Sequence, residues 1–258
     1  MRPSIARTQI HGELMEFLCP RGMRRARLFP PMARRSDSTM SAMRCGPSNN
    51  APRWGLFDIL AWKVIPTQIG GGRPYIQKFK DAWIRYHKQR IKSSALAHRL
   101  PPELLAGVCW IEVGGDPHFI DHAALEFRSF DWSGPSFVDA HLTISNHPTK
   151  TSFGSVSMQL RTASQTLGID VRELSTEQLR SLSRCLENDV FNIEIAARHL
   201  RQLINHDKLA APISMEAIRI VGARYNRGIG LSLAQIKKDT SYGNFIVEHW
   251  PRFAQLLR

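Results

Sequence analysis

The chain has 258 residues, of which 43% are hydrophobic, and it carries a formal net charge of +13 at pH 7. This length and composition are enough for one domain of about 150–200 residues with a real hydrophobic core, plus additional segments. The basic balance favours a polyanionic partner, whether nucleic acid, anionic lipid or an acidic cell-wall polymer, without choosing among them. No apolar run reaches about 18 residues, so no transmembrane helix is expected.

Residues 1–53 are rich in Arg, Pro, Ser and Met and show weak periodicity, which predicts a disordered basic arm. The first 55 residues hold ten arginines against the acids Glu13, Glu16 and Asp37, and so account for more than half of the net charge. No apolar stretch of about 7–15 residues closely follows the basic N-terminus. We therefore expect synthesis in the cytoplasm without a cleaved signal peptide.

The cysteines lack the paired short spacing that zinc sites use. They are Cys19, Cys45, Cys109 and Cys185. Cys109 and Cys185 fall in predicted helices, where we expect them to be small apolar core residues. Nothing in this pattern demands an oxidising compartment.

A helical extension is predicted over residues 54–98. Its first part, 54–65, is largely apolar, and the interruptions at Asp58 and Lys63 favour a packed helix over an export signal. A longer helix follows over residues 74–98, with apolar and basic positions at helical spacing. The apolar positions are Ile76, Phe79, Ala82, Trp83 and Tyr86, and the basic ones are Lys78, Lys80, Arg85, Lys88, Arg90 and Lys92. We interpret the basic residues as a solvated face, with nucleic-acid binding as the alternative.

The next helix ends in a carboxylate. Pro101 and Pro102 suit its first turn, an apolar run follows, and Gly114 can end it. Glu112 lies in the last turn, where burial and the negative end of the helix dipole both raise a carboxyl pKa. A carboxylic acid that stays protonated near neutral pH is what a general acid needs for glycoside cleavage. The alternative is a glutamate that leaves the apolar face and pairs with an arginine.

Residues 116–150 carry many turn residues and are interpreted as a functional loop, with a short strand allowed only at 140–146. His118 and His122 are four residues apart, but they lack the glutamate and apolar frame of a zinc motif, so neither a metal nor another cofactor is expected. Further helices are predicted near residues 160–168, 175–184, 190–204, 213–225, 231–238 and 242–257. The fold class is therefore mainly α.

Four motifs in order resemble the lysozyme-like domain of soluble lytic transglycosylases. The first is Glu112–Pro117, similar to the family's Glu-Ser-x-x-(Asn/Asp)-Pro opening, with Val113 in place of Ser. The second is Gly154–Gln159, which runs into Leu167–Gly168, and the third is Asn192–Leu200. The fourth is Tyr225–Gly228, which is similar to the end of the family's Ala-Tyr-Asn-x-Gly, with Arg224 in place of the Ala. The resemblance covers residues 98–250, and we place the catalytic domain at 99–258.

This resemblance implies cleavage of the β-1,4 bond of peptidoglycan by a single general acid/base, Glu112. In the family the muramic 6-hydroxyl attacks the anomeric carbon, and a 1,6-anhydro ring forms. Tyr225 and Asn226 would orient Glu112 or the N-acetyl group, while Ser157 and Gln159 would line the groove. No further cofactor is implied.

Three alternatives stay open. A muramidase of the goose-type lysozyme kind would need a second carboxylate, for which Asp131 and Asp139 in the 118–150 loop are the candidates. The second alternative is a catalytically inactive glycan-binding protein. The third is a basic helical module that binds nucleic acid or membrane. Because the substrate lies outside the membrane, we expect action in the periplasm or cell wall after specialised secretion, as an antibacterial effector with a cognate immunity protein.

Overall fold

The computed structural model describes residue 45 and residues 51–114 and 151–258, and the mainly α class predicted from the sequence is confirmed in them. Their α-helices are α1 (Leu56–Lys63), α2 (Gly72–Ala97), α3 (Pro102–Glu112), α4 (Leu160–Leu167), α5 (Thr176–Leu186), α6 (Asp189–His206), α7 (Met215–Arg227), α8 (Leu233–Lys238), α9 (Ser241–Glu248) and α10 (Trp250–Leu256). The predicted 116–150 loop, its 140–146 strand and nearly all of the 1–53 arm lie outside the described residues.

One short antiparallel hairpin precedes α4. Its strands β1 (Ser152–Phe153) and β2 (Met158–Gln159) pair Ser152 with Gln159 and Phe153 with Met158. Two 3₁₀ turns, Thr67–Ile69 and Val171–Glu173, complete the described secondary structure. The helix predicted over 242–257 is instead two helices that meet at His249. Proline at position 251 explains the break, because it has no N–H to continue the first helix.

Helices α2, α3 and α6 form the centre of the hydrophobic core. Trp83, Ile84 and Ile91 of α2 are fully buried, as is nearly all of α3 from Leu104 to Cys109. The residues of α3 are apolar on every side of the helix. A helix of this composition is expected to be buried on all sides, and α3 is largely buried. The core therefore surrounds the helix that ends at the candidate acid.

The buried face of α2 differs from the one predicted. Ala82 and Tyr86 are exposed, and the core face instead passes through Lys80, His87 and Ser94. Each polar member of this face has a partner, because a buried polar group is costly without one. His87 Nε2 lies 3.1 Å from an Asp189 oxygen, Ser94 donates to Glu194 at 2.6 Å, and Lys80 donates to backbone carbonyls of α3. The interpretation of Lys80 as a solvated lysine was wrong.

Helix α1 is packed on one face only. Trp54 and Ala61 are buried, the Trp54 ring lies 4.8 Å from that of Phe79, and the Tyr75 hydroxyl donates to Asp58 at 2.8 Å. These contacts fix α1 against α2. α1 is thus packed on α2 through one face, while its opposite face is exposed.

Helix α6 holds the hairpin in place. The fully buried Asn192 accepts a hydrogen bond from the backbone N–H of Val156 at 2.7 Å. Gly154 has a φ of 74° and no room for a side chain, since a Cβ would lie 2.0 Å from the Leu186 carbonyl oxygen. The turn between β1 and β2 is thereby pressed against α5 and α6.

Helices α7 and α9 cross at a pair of glycines. A Cβ on Gly222 would lie 2.6 Å from the Cα of Gly243, and a Cβ on Gly243 would lie 2.1 Å from the Arg219 carbonyl oxygen. Only glycine at both positions lets the backbones approach this closely. The crossing brings the start of α9 towards the end of α3.

Cys45 and Cys185 form a disulfide, with their Cα atoms 5.2 Å apart. The disulfide joins residue 45 to α5. Cys185 is buried as predicted, but as a half-cystine rather than a free core thiol, whereas Cys109 is a free and buried thiol. Across the described residues, no helix combines the length and the apolar character needed to cross a membrane.

The Asn192 contact gives a stability prediction. Asn192→Ala leaves the buried Val156 N–H without an acceptor, so the free energy of unfolding should fall by about 1–3 kcal/mol. Asn205→Ala, an exposed change on the same helix, should stay within about 0.5 kcal/mol of the wild type. Urea denaturation followed by circular dichroism measures both, and equal stabilities for the two variants would contradict the assigned role of Asn192.

Candidate active site

Glu112 is the last residue of α3. The Val113 N–H donates to the Cys109 carbonyl at 2.9 Å, and Gly114 then takes a left-handed φ of 82°. The helix was predicted to end at this glycine, but it already ends at Val113, whose backbone is extended, and Gly114 follows it. Val113, which stands where the resembled family has Ser, is 1% exposed and packs into the core. The chain thus leaves the helix with Glu112 at the edge of the core and Val113 inside it.

A tyrosine from the C-terminal part of the chain binds the Glu112 carboxyl. The Tyr242 hydroxyl donates to Glu112 Oε1 at 2.8 Å, a link between α9 and α3 across 130 residues of sequence. Burial raises the pKa of Glu112, while this hydrogen bond and the charge of Lys80 act in the opposite direction without cancelling it. The direction agrees with the one expected from the sequence.

Lys80 holds the end of α3 from the other side. Its Nζ donates to the carbonyl oxygens of Trp110 at 2.9 Å and Ile111 at 2.7 Å. These carbonyls belong to the last turn, where no N–H of the helix is available to donate to them. Burial lowers the pKa of Lys80 to about 8, although the charge of Glu112 raises it. Trp110 is fixed in turn, because its Nε1 donates to Asp81 at 2.9 Å. The helix end that carries Glu112 is therefore held at both backbone and side-chain level.

The predicted site residues border one cavity of about 620 Å³. These residues are Glu112, Ser157, Gln159, Tyr225 and Asn226. Its other walls come from the hairpin, α4, α6 and the loop after α7: Ser152, Met158, Arg161, Thr162, Gln165, His199 and the run from Arg227 to Gly230. The fold thus brings together three segments that are distant in the sequence, at 112, 152–165 and 225–230, as the motifs predict.

A second cavity of about 400 Å³ has Tyr242 in its wall. Trp110, Phe245 and Tyr242 give it aromatic walls, and Lys80, Ile111, Asn226 and Ser241 complete its lining. Asn226 borders both cavities. The hydrogen bond between Glu112 and Tyr242 therefore joins the wall of one cavity to the wall of the other.

Tyr225 and Tyr242 differ in their relation to the acid. Tyr242 donates the hydrogen bond to Glu112, whereas Tyr225 lies between His199 and Tyr242, with ring centroids 5.7 and 6.2 Å away. Burial, together with the nearby Glu112 charge, raises the pKa of both phenols, so both remain protonated donors. Burial lowers the pKa of His199 to about 4, so its imidazole is neutral near neutral pH.

Arg224 fixes the loop that follows α7. This residue, which departs from the family motif, is 1% exposed and donates to both carboxylate oxygens of Asp207, at 2.8 and 2.9 Å. It also donates to the carbonyl oxygens of Gly228 at 3.3 Å and Leu231 at 2.6 Å. Burial acts to raise the pKa of Asp207, but the hydrogen bonds from Arg224 and His206 hold it below its usual value. The Gly228–Gly230 wall of the cavity is thereby anchored to α6.

Among the described residues that line the two cavities, Glu112 is the single carboxylate. The candidates for a second carboxylate, Asp131 and Asp139, lie outside the described residues, as do His118 and His122. Within the described ranges, no three His, Cys, Asp or Glu side chains are grouped so that they could hold a metal ion. Ser157 lies close, but its hydroxyl is 3.5 Å from the Glu112 carbonyl oxygen, too far for a strong hydrogen bond.

Sequence reasoning missed Tyr242, Lys80 and Arg224. Lys80 and Arg224 carried a signal, since each is a charged residue at a core position of its helix, spaced with buried apolar neighbours. Tyr242 carried none, because its place beside Glu112 depends on the crossing of α7 and α9. No protein-family model, curated protein or solved structure matches the chain in our comparisons.

The buried lysine gives a prediction that does not depend on any activity. The side-chain ¹³Cε signal of Lys80, assigned by its loss in Lys80→Met, should titrate near pH 8, against about 10.4 for an ordinary lysine. In Glu112→Gln the Lys80 pKa should fall further, because the neighbouring negative charge is gone. The matched control is Glu103→Gln in the first turn of α3. If Lys80 titrates like an ordinary lysine, or ignores Glu112→Gln, the two groups are not neighbours.

Proposed function

We propose that the protein cleaves the glycan strands of peptidoglycan as a lytic transglycosylase with a lysozyme-like fold. The observation that supports this most is the state of Glu112: a largely buried carboxyl with a raised pKa in the wall of one cavity, hydrogen-bonded to Tyr242 in the wall of a second. A raised pKa enlarges the protonated fraction from which a general acid delivers its proton to a glycosidic oxygen. The order of the motifs around this cavity agrees with the family resemblance.

The chemistry follows from the two oxygens of one carboxyl group. Oε1 accepts from Tyr242, which leaves Oε2 to carry the proton. Oε2–H protonates the leaving glycosidic oxygen as the C1–O bond breaks, and the resulting carboxylate is stabilised by Tyr242 and by the charge of Lys80. Oε2 then takes the proton of the muramic 6-hydroxyl while the oxygen of that hydroxyl bonds to C1. The 1,6-anhydro ring closes and Glu112 is protonated again.

The cavity walls suit a polar saccharide with negative charges. Ser157, Gln159 and Asn226 offer hydroxyl and amide groups for sugar hydroxyls and N-acetyl groups. Arg161 and Arg227 add positive charge on the same walls, which favours an acidic cell-wall polymer. In the second cavity, Trp110 and Phe245 provide apolar faces of the kind on which sugar rings pack.

The muramidase alternative requires a second carboxylate at about 6.5–9.5 Å from Glu112 for inversion, or about 5–5.5 Å for retention. The described cavity walls supply none, so the muramidase would depend on Asp131 or Asp139. An inactive glycan-binding protein or a nucleic-acid-binding module has no need of a buried acid at a cavity junction.

The proposed site of action is the periplasm or cell wall. The Cys45–Cys185 disulfide is in keeping with an oxidising compartment outside the cytoplasm. Delivery by a specialised secretion machinery, as an antibacterial effector with a cognate immunity protein, is part of the same proposal.

Digestion of purified sacculi tests the proposal. Glu112→Gln should lower the release of muropeptides by at least about a hundredfold, the low end for losing a general acid–base. Wild-type products should carry 1,6-anhydro-muramic ends in mass spectrometry. The Glu103→Gln control on the same helix should cleave like the wild type.

Glu112→Gln should also be at least as stable as the wild type at neutral pH. Because the pKa of Glu112 is raised in the folded state, the wild type loses stability as pH rises through that pKa, and the glutamine variant does not. A folded Glu112→Gln protein that still cleaves would show that the acid is elsewhere. Reducing ends that disappear in Asp131→Asn or Asp139→Asn would identify a muramidase.

A further inference from the structure

The outer face of α1 is a large exposed apolar surface. Six large hydrophobic side chains are exposed between residues 56 and 69, more than in all the rest of the described chain, where Tyr86, Leu96, Met215 and Ile229 are scattered singly. The six are Leu56, Phe57, Leu60, Val64, Ile65 and Ile69, which we call the α1 patch. Scattered exposed apolar residues are ordinary, but a concentrated patch marks a surface that binds something.

The helix geometry places these residues together. Positions 56, 57, 60 and 64 follow the one-, four- and eight-residue spacing of a single helical face. Phe57 is 87% and Val64 69% exposed. Ile65 and Ile69 continue the patch in the turn that leads to α2.

The patch is not the result of a poorly packed helix. The opposite face of α1 is fixed on α2 through Trp54, Ala61 and the Asp58–Tyr75 hydrogen bond. The turn after α1 is equally tight, because a Cβ on Gly71 would lie 2.1 Å from the Ile65 carbonyl oxygen. The packing of α1 and of the turn after it therefore keeps the apolar face directed to solvent.

The exposed charged residues between positions 51 and 80 all have one sign. They include Lys63, Arg73 and Lys78, and Lys63 lies over the Trp62 ring at 3.8 Å. The only acid between residues 51 and 80 is Asp58, whose carboxylate accepts from the Gly55 N–H and the Tyr75 hydroxyl, both at 2.8 Å. Apolar side chains bordered by lysine and arginine match the interface of an anionic lipid bilayer, where acyl chains lie beneath phosphate groups.

We propose that the α1 patch docks the protein on anionic membrane surfaces. With eight residues α1 is about 12 Å long, far short of a bilayer core, so it lies in the interface and does not span it. A second copy of the chain is disfavoured as the occupant, because it would bring Lys63, Arg73 and Lys78 of both copies together. A convex helix face suits a deformable lipid surface, whereas a protein partner would need a matching groove with an acidic rim.

Vesicle co-sedimentation of the full chain tests the proposal without reference to glycan cleavage. The wild type should bind phosphatidylcholine vesicles with about 30% phosphatidylglycerol at least about tenfold more tightly than pure phosphatidylcholine, and salt should weaken this binding. Phe57→Ser/Leu60→Ser removes two exposed side chains of the patch and should weaken binding at least about tenfold. The control Leu96→Ser, an 80% exposed leucine on α2, should bind like the wild type.

Three outcomes would overturn the proposal. The first is a wild type that shows no preference for the anionic vesicles. The second is a Phe57→Ser/Leu60→Ser variant that binds them as tightly as the wild type, so that charge alone drives binding. The third is a wild-type dimer in sedimentation velocity that Phe57→Ser/Leu60→Ser dissociates, which would make the patch a self-association surface. Because the changed side chains are exposed, circular dichroism should show both variants folded like the wild type.

Discussion

The structure of the site depends on one constraint, the burial of a carboxyl group at the end of an apolar helix. α3 is surrounded by core on all sides, and it delivers Glu112 to the point where that core meets solvent. Burial there raises the pKa of the acid, and the Tyr242 hydrogen bond and the Lys80 charge limit how far the pKa rises.

The remaining elements hold the walls of the cavity around this acid. Asn192 binds the hairpin, Arg224 binds the loop after α7, and the Gly222–Gly243 contact lets α9 approach α3. Each of these is a buried polar group with its partners satisfied or a glycine at a close backbone contact. Buried polar groups whose hydrogen bonds are satisfied make the core more rigid, and here they surround the cavity that Glu112 borders.

Local patterns in the sequence predicted much of this arrangement. The apolar run before Glu112 and the glycine after it predicted both the end of α3 and the direction of the carboxyl pKa. The family resemblance implied that Ser157, Gln159, Tyr225 and Asn226 would lie near Glu112, and all of them border the same cavity. The end of α3, by contrast, is a signal within a single helix, where periodicity and capping are informative.

The features that the sequence did not predict depend on contacts between distant segments. Lys80 lies at a core position of its helix, but only the fold shows that backbone carbonyls of α3 lie within hydrogen-bond distance of it. Tyr242 lies in a short helix that the sequence did not separate from α10, and Cys185 pairs with a residue 140 positions away. The sequence also did not predict that one face of α1 is exposed, since a helix that is apolar on both sides is ordinarily packed on both.

The most direct test of the account is the carboxyl pKa of Glu112 itself. Titration of the wild-type protein with ¹³C-labelled glutamate side chains, followed by NMR, gives this value, and Glu112→Gln assigns the signal by its disappearance. The account predicts a pKa above the ordinary glutamate value of about 4.3, because burial outweighs the Tyr242 hydrogen bond and the Lys80 charge. A pKa at or below that value would mean an ionised Glu112 near neutral pH, and would contradict its role as the proton donor.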